Sequence, residues 1–141
     1  MAMFAMIVAG IAGDGFWAPP RAITAVILGT EHAGTDFAFG PAAGGMMLHM
    51  MLSAAFGVMF ALVVGVTRRE LKLGSQLVIG MALGIILWAV NTYAIAELLN
   101  GRELFTTAMP AWTWFVAHLM FGAALALLYD VWRHDRTALR A

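Results

Sequence analysis

From Gly40 to Val66 the chain runs for 27 residues without one Asp, Glu, Lys or Arg. Nothing else in the sequence restricts the fold so tightly. About 20 mostly apolar residues in a helix cross the roughly 30 Å hydrocarbon core of a bilayer. At that depth the peptide groups must bond to one another, which a helix achieves and a lipid-exposed loop does not. Leu77 to Leu98, interrupted only by Glu97, and Ala111 to Trp132, interrupted only by Asp130, qualify in the same way. The expected fold is all-α: a transmembrane four-helix bundle, counting the apolar run at the N-terminus, with one additional short interfacial or re-entrant helix.

Composition agrees. The 141 residues are 62% hydrophobic and 11% charged, against about 25% charged in soluble domains. A single integral membrane domain over 1–141 is therefore expected, with the lipid bilayer as its first partner. A net charge of zero gives no electrostatic footprint for nucleic acid. The absence of cysteine excludes disulfides, iron–sulfur clusters, thiolate zinc sites and cysteine nucleophiles. No phosphate loop, metalloprotease helix motif or Ser–His–Asp arrangement is present, so hydrolase and nucleotide chemistry has no support. Met1 to Gly13 has no positively charged start, which argues against a secretory signal.

The spans are expected at about 1–17, 40–66, 77–98 and 111–132. The first is the weakest, because Asp14 interrupts it; a start site upstream of Met1 would account for its shortness. Pro19-Pro20 then marks a turn and a helix start. Ile23, Val26 and Ile27 follow at i, i+3, i+4 spacing, and Gly29 suits a C-terminal stop. This helix, about 19–29, is too short to span. Phe16 and Trp17 beside it suit the headgroup level, and Thr30 to Gly40 reads as a polar loop.

Lysine and arginine near the helix ends set the orientation. Arg68, Arg69 and Lys72 lie between the second and third spans, and Arg133, Arg136 and Arg140 follow the fourth. The opposite side holds only Arg21 and Arg102, among Asp14, Glu31, Asp36, Glu97 and Glu103. This asymmetry predicts a multi-pass protein of the bacterial inner membrane with both termini cytoplasmic. The alternative is three spans, with an outside N-terminus lying on the membrane.

Small residues mark helix–helix contacts in lipid. The second span carries Gly45, His49, Ser53, Gly57, Ala61 and Gly65 at every fourth position. The fourth carries Trp114, His118, Gly122, Ala126 and Asp130, and the third Gly80, Gly84, Trp88 and Asn91. His49 and His118 each lie eight residues after a proline that opens a span, Pro41 and Pro110. At about 1.5 Å of rise per residue both sit roughly 12 Å inward from one surface. Asn91, seven residues before Leu98 on the antiparallel third span, reaches the same depth. A polar layer of His49, Asn91 and His118 results, beneath Trp88, Tyr93, Trp112 and Trp114.

Three roles suit such a layer. Interhelical hydrogen bonds alone would fix register, at a measured average of about 0.6 kcal/mol each. Two axial histidines can hold a b-type haem, with Asn91 as a supporting hydrogen-bonding group; only Arg21 or Arg102 is available for its propionates. Thioether and imidazole together suit copper in its reduced state, and Met46, His49 and Met50 share one helical face, with His118 as the fourth ligand. Methionine is also an ordinary packing residue. Among the other polar groups, Arg21 is expected to pair with Asp14 or Glu97 or to bind a lipid phosphate, and Asp130 to pair with Arg133 or meet water. Glu97, His32 and His134 are expected to be solvated.

The run Gly15-Phe16-Trp17-Ala18-Pro19-Pro20-Arg21-Ala22-Ile23-Thr24 with Leu28-Gly29, followed by the spans around His49/Phe56-Gly57 and His118/Phe121-Gly122, resembles a group of small bacterial membrane proteins without an assigned activity. The resemblance implies four helices, histidines on the second and fourth spans, and a longer first helix than this one. It implies no catalytic residue.

The leading expectation for function is a non-catalytic structural or accessory subunit, acting as a homo-oligomer or within a larger membrane complex. A chain of about 15 kDa that is nearly all membrane helix offers little surface for catalysis and ample surface for packing. The rivals are a haem- or copper-binding component built on His49 and His118, and a small solute or proton carrier that encloses its path by oligomerising.

Overall fold

The computed structural model describes residues 1–66, 71–99 and 102–138. Every element among the described residues is helical. In chain order these are α1 (Ala2–Ala12), α2 (Ala18–Leu28), a 3-10 turn at Thr30–His32, α3 (Phe39–Val66), α4 (Leu73–Leu98), α5 (Arg102–Ala108) and α6 (Ala111–Ala138). Arg68, Arg69, Gly101 and Arg140 lie outside the described residues, as do the side chains of Arg102 and Arg136.

α3, α4 and α6 are long and apolar enough to cross a membrane. The expected first span is not. Its helix has 11 residues, a length of about 16 Å, and Gly13 ends it in the left-handed region at φ 90°. That conformation suits glycine and turns the Asp14 N–H back onto the Ala9 carbonyl at 2.9 Å. The architecture is thus three long helices with short ones packed against them. α2 forms where Pro19-Pro20 and Gly29 place it. α5 is a further short helix that the hydropathy pattern does not announce.

α4 and α6 form the tightest pair, an antiparallel seam built on glycine. A Cβ at Gly80 would collide with the Gly122 carbonyl, one at Gly122 with the Gly80 carbonyl, and one at Gly84 with the His118 carbonyl. Backbone lies against backbone there, as small residues permit. Lys72 and Arg133 mark one end of this seam, the basic end. Close to it, fully buried Gln76 donates from Nε2 to the Leu71 carbonyl and to Asp130 Oδ1, both at 2.9 Å. Asp130 does pair with Arg133, at 3.4 Å, but its nearer partner is Gln76, which the sequence pattern passes over.

α3 joins the seam only near the basic end. Phe60 and Val64 pack there on Ala126, with Phe60 edge-on to Tyr129 at a ring distance of 6.0 Å. At its other end α3 is held by α2. Gly45 lets the Pro20 carbonyl pass against the helix, and Thr24 Oγ1 donates to the Pro41 carbonyl at 2.7 Å. α2 in turn packs through Ala18 and Ala22 on Phe105 and Ala108 of α5, while Ala5 and Ala9 of α1 pack on Met109 and Trp114. Of the 28 residues in α3, only Ala42, Gly45, Phe60 and Val64 are buried. Among the described residues the small-residue ridge expected along the whole helix is used in part: Gly45 makes a backbone approach, a Cβ at Gly57 would meet only Leu125, and one at Gly65 would meet nothing within 4 Å.

Arg21 departs from expectation. Its guanidinium donates to three backbone carbonyls, those of His32 (3.0 Å), Ala33 (2.7 Å) and Asp36 (2.8 Å). It staples the loop between α2 and α3, and no carboxylate among the described residues pairs with it.

Candidate functional site

Because α3 meets the seam near the basic end and α2 at the other, a gap remains between them. It is a partly open chamber of about 360 Å³, within the roughly 300–1,000 Å³ range of small-molecule sites. His49 and Ser53 of α3, Trp88 and Asn91 of α4, and Trp114 and His118 of α6 line it. α1 and α2 close a flank with Met6 and Ile23, and Met1 reaches its wall as well. All three residues of the expected polar layer thus face one space, and the rest of the lining is predominantly apolar and aromatic.

Local structure presents Asn91 in a particular way. Val90–Ile95 form a π-helical turn within α4, in which bonds run to the fifth residue instead of the fourth; such turns frequently accompany functional sites. Asn91, Thr92, Tyr93 and Ile95, all from this turn, line the chamber. Trp88, one turn earlier, is braced edge-on by Tyr93 at 5.6 Å and Phe115 at 5.1 Å.

His118 is pinned at both ring nitrogens. Nδ1 lies 2.7 Å from the Trp114 carbonyl. A carbonyl only accepts, so Nδ1 carries the proton. Nε2 of the neutral ring is then an acceptor, and Asn91 Nδ2, 3.1 Å away, donates to it. Trp114 is itself fixed, its Nε1 donating to the Phe105 carbonyl at 3.0 Å. His49 differs: it has no hydrogen-bond partner among the described residues and faces the chamber. Asn91 keeps one amide hydrogen and its Oδ1 for the space between.

These contacts bear on the cofactor expectations. The Nε2 lone pair that would bind haem iron or copper is occupied by the Asn91 amide, so ligation through it requires Asn91 to withdraw. Of the expected copper set, Met46, His49 and His118 line the chamber, while Met50 is 62% exposed and absent from its wall. Among the described residues no three of His, Cys, Asp and Glu are gathered to hold a metal ion. The arrangement does offer hydrogen bonds inside an apolar enclosure, the chemistry of binding and orienting a neutral molecule. The sequence pattern foreshadows the polar layer by depth alone; the π-helical turn and the chamber have no signal in it. Elsewhere, His134 bonds the Asp130 carbonyl at 2.7 Å in the exposed tail, and His32 lies 3.8 Å from Glu31 in the loop.

Compared with protein-family models, curated proteins and solved structures, the chain gives no match to any of them.

Proposed function

We propose that this protein is a non-catalytic structural or accessory subunit of the bacterial inner membrane, packing through α3 with a second copy or with a larger membrane complex. The supporting observation is the state of α3. Glycine inside a helix costs about 1 kcal/mol relative to alanine, and Gly65 receives no packing from the described residues of its own chain in return, since a Cβ there would meet none of them within 4 Å. Around it Val58, Leu62 and Val66 are exposed. A smooth, glycine-bearing face of this kind suits the close approach of another helix. Mass measurement of the protein in nanodiscs tests the reading. A multiple of 15.1 kDa, or a stoichiometric companion protein, is expected for the native chain, and the 15.1 kDa species alone for Gly65→Leu. A native chain that is monomeric and unaccompanied contradicts the proposal.

The proposed topology puts the Lys72 connection and the C-terminal tail in the cytoplasm. It counts the three crossings of α3, α4 and α6, with α1 and α2 set against the external half. The kinship with small four-span bacterial membrane proteins stays part of this proposal. Reporters after Ala141 and near Lys72 are expected inside, and one near Gly101 outside; opposite sides for Lys72 and Ala141 would overturn the arrangement. The chamber favours a second reading, a component that binds a cofactor. A visible spectrum with metal analysis separates its forms, a Soret band pointing to haem and stoichiometric copper to the metal site.

A further inference from the structure

We infer that the chamber is a binding site for the ring of a lipid-soluble quinone, held by hydrogen bonds from His49 and Asn91 to its carbonyl oxygens. The inference does not depend on how α3 packs with other chains. A chamber for acyl chains needs no polar lining, and leaving an imidazole or amide N–H facing hydrocarbon without an acceptor is costly. Here His49 has no partner among the described residues, and Asn91 spends one amide hydrogen on His118 and retains the other. Both line the same space, and a neutral imidazole and an amide each have an N–H to give. The complementary ligand therefore carries acceptor oxygens. An uncharged ring suits this wall, which carries no Asp, Glu, Lys or Arg side chain among the described residues. The ligand is planar, because Trp88, Trp114, Phe56 and Phe121 supply aromatic surfaces around the polar groups.

The enclosure is only partly open, and its opening lies among apolar residues such as Ile27 and Leu52, both exposed. An isoprenoid or alkyl tail can leave along that side while the ring stays within. Asn91 owes its place to the π-helical turn and its orientation to His118, whose own ring is fixed by the Trp114 carbonyl. His118 is thus a positioning residue: it aims the amide. The proposal concerns binding alone and requires no electron transfer.

The test uses the full chain in nanodiscs and a decyl-substituted benzoquinone as probe. Trp88 and Trp114 line the chamber, so their fluorescence reports occupancy by quenching. Saturable quenching is expected for the native chain. Ser53→Phe, which fills the chamber and leaves every tryptophan in place, is expected to show only the linear quenching of a probe dissolved in lipid. His49→Leu and Asn91→Leu should each weaken binding about tenfold, the scale of one lost hydrogen bond to a buried group. His49→Gln keeps an N–H donor and should stay within about threefold, which separates donation from packing where a leucine variant folds poorly. Linear quenching of the native chain, or equal quenching in Ser53→Phe, overturns the proposal. Displacement of the quinone by decane at equal concentration also overturns it, identifying an acyl-chain site instead.

Discussion

The α4–α6 seam and the α3 wall are built from the same materials, long apolar helices with glycine every few residues, yet they behave differently. On the seam, Gly80, Gly84 and Gly122 bring backbone against backbone. On α3 only Gly45 does so, against a short helix, and the wall meets the seam from Gly57 and Phe60 onward. The two histidines inherit this difference. His118 rides on the seam with both nitrogens bonded, while His49 rides on α3 facing the chamber. A small-residue repeat thus permits close packing without dictating it; the facing helix must offer a matching gap at the same level.

The sharpest way to break the comparison is to put a side chain into the seam. Gly122→Leu drives carbon into the Gly80 carbonyl and should cost about 3 kcal/mol or more, beyond the usual range for overpacking because no side chain can yield. Thermal melting in detergent checks this, and a wild-type midpoint would mean that the seam is not the core. Next is Gln76→Leu, which strips Asp130 of its 2.9 Å donor inside the packed end. A loss of about 2 kcal/mol is expected, the scale of a hydrogen bond to a charged group, with Arg133 at 3.4 Å left as the weaker partner; restored stability in the Gln76→Leu, Asp130→Leu double variant would show that the cost is polar and not steric. The smallest effect belongs to Gly57→Leu. A Cβ there meets only Leu125 at 3.5 Å, an ordinary contact, so a change below about 1 kcal/mol is expected in the monomer. A collapse matching that of Gly122→Leu would erase the distinction between the two walls.

Counting residues along three apolar runs is enough to locate the long helices and to put Asn91 and His118 at one depth, where they bond. It also marks α2, because prolines and a terminal glycine act locally. It misjudges the first run: apolarity continues past Ala12, but Gly13 and Asp14 end the helix after 11 residues. It misjudges Arg21 too, since charge suggests a carboxylate partner, whereas the loop folds back to offer three carbonyls. Gln76 escapes notice because its value depends on Asp130, 54 positions away. The chamber is the least legible feature, for it is defined by what α3 does not touch.

The account turns on the unequal state of the two histidines, and nitrogen-15 NMR of histidine-labelled protein in lipid tests this most directly. His118 is predicted to be a single neutral tautomer protonated at Nδ1, with an Nε2 signal that shifts when Asn91→Leu removes its donor. His49 is predicted to populate both tautomers and to ignore that substitution. A His118 ring protonated at Nε2, or tautomer populations equal at the two sites, would contradict the account.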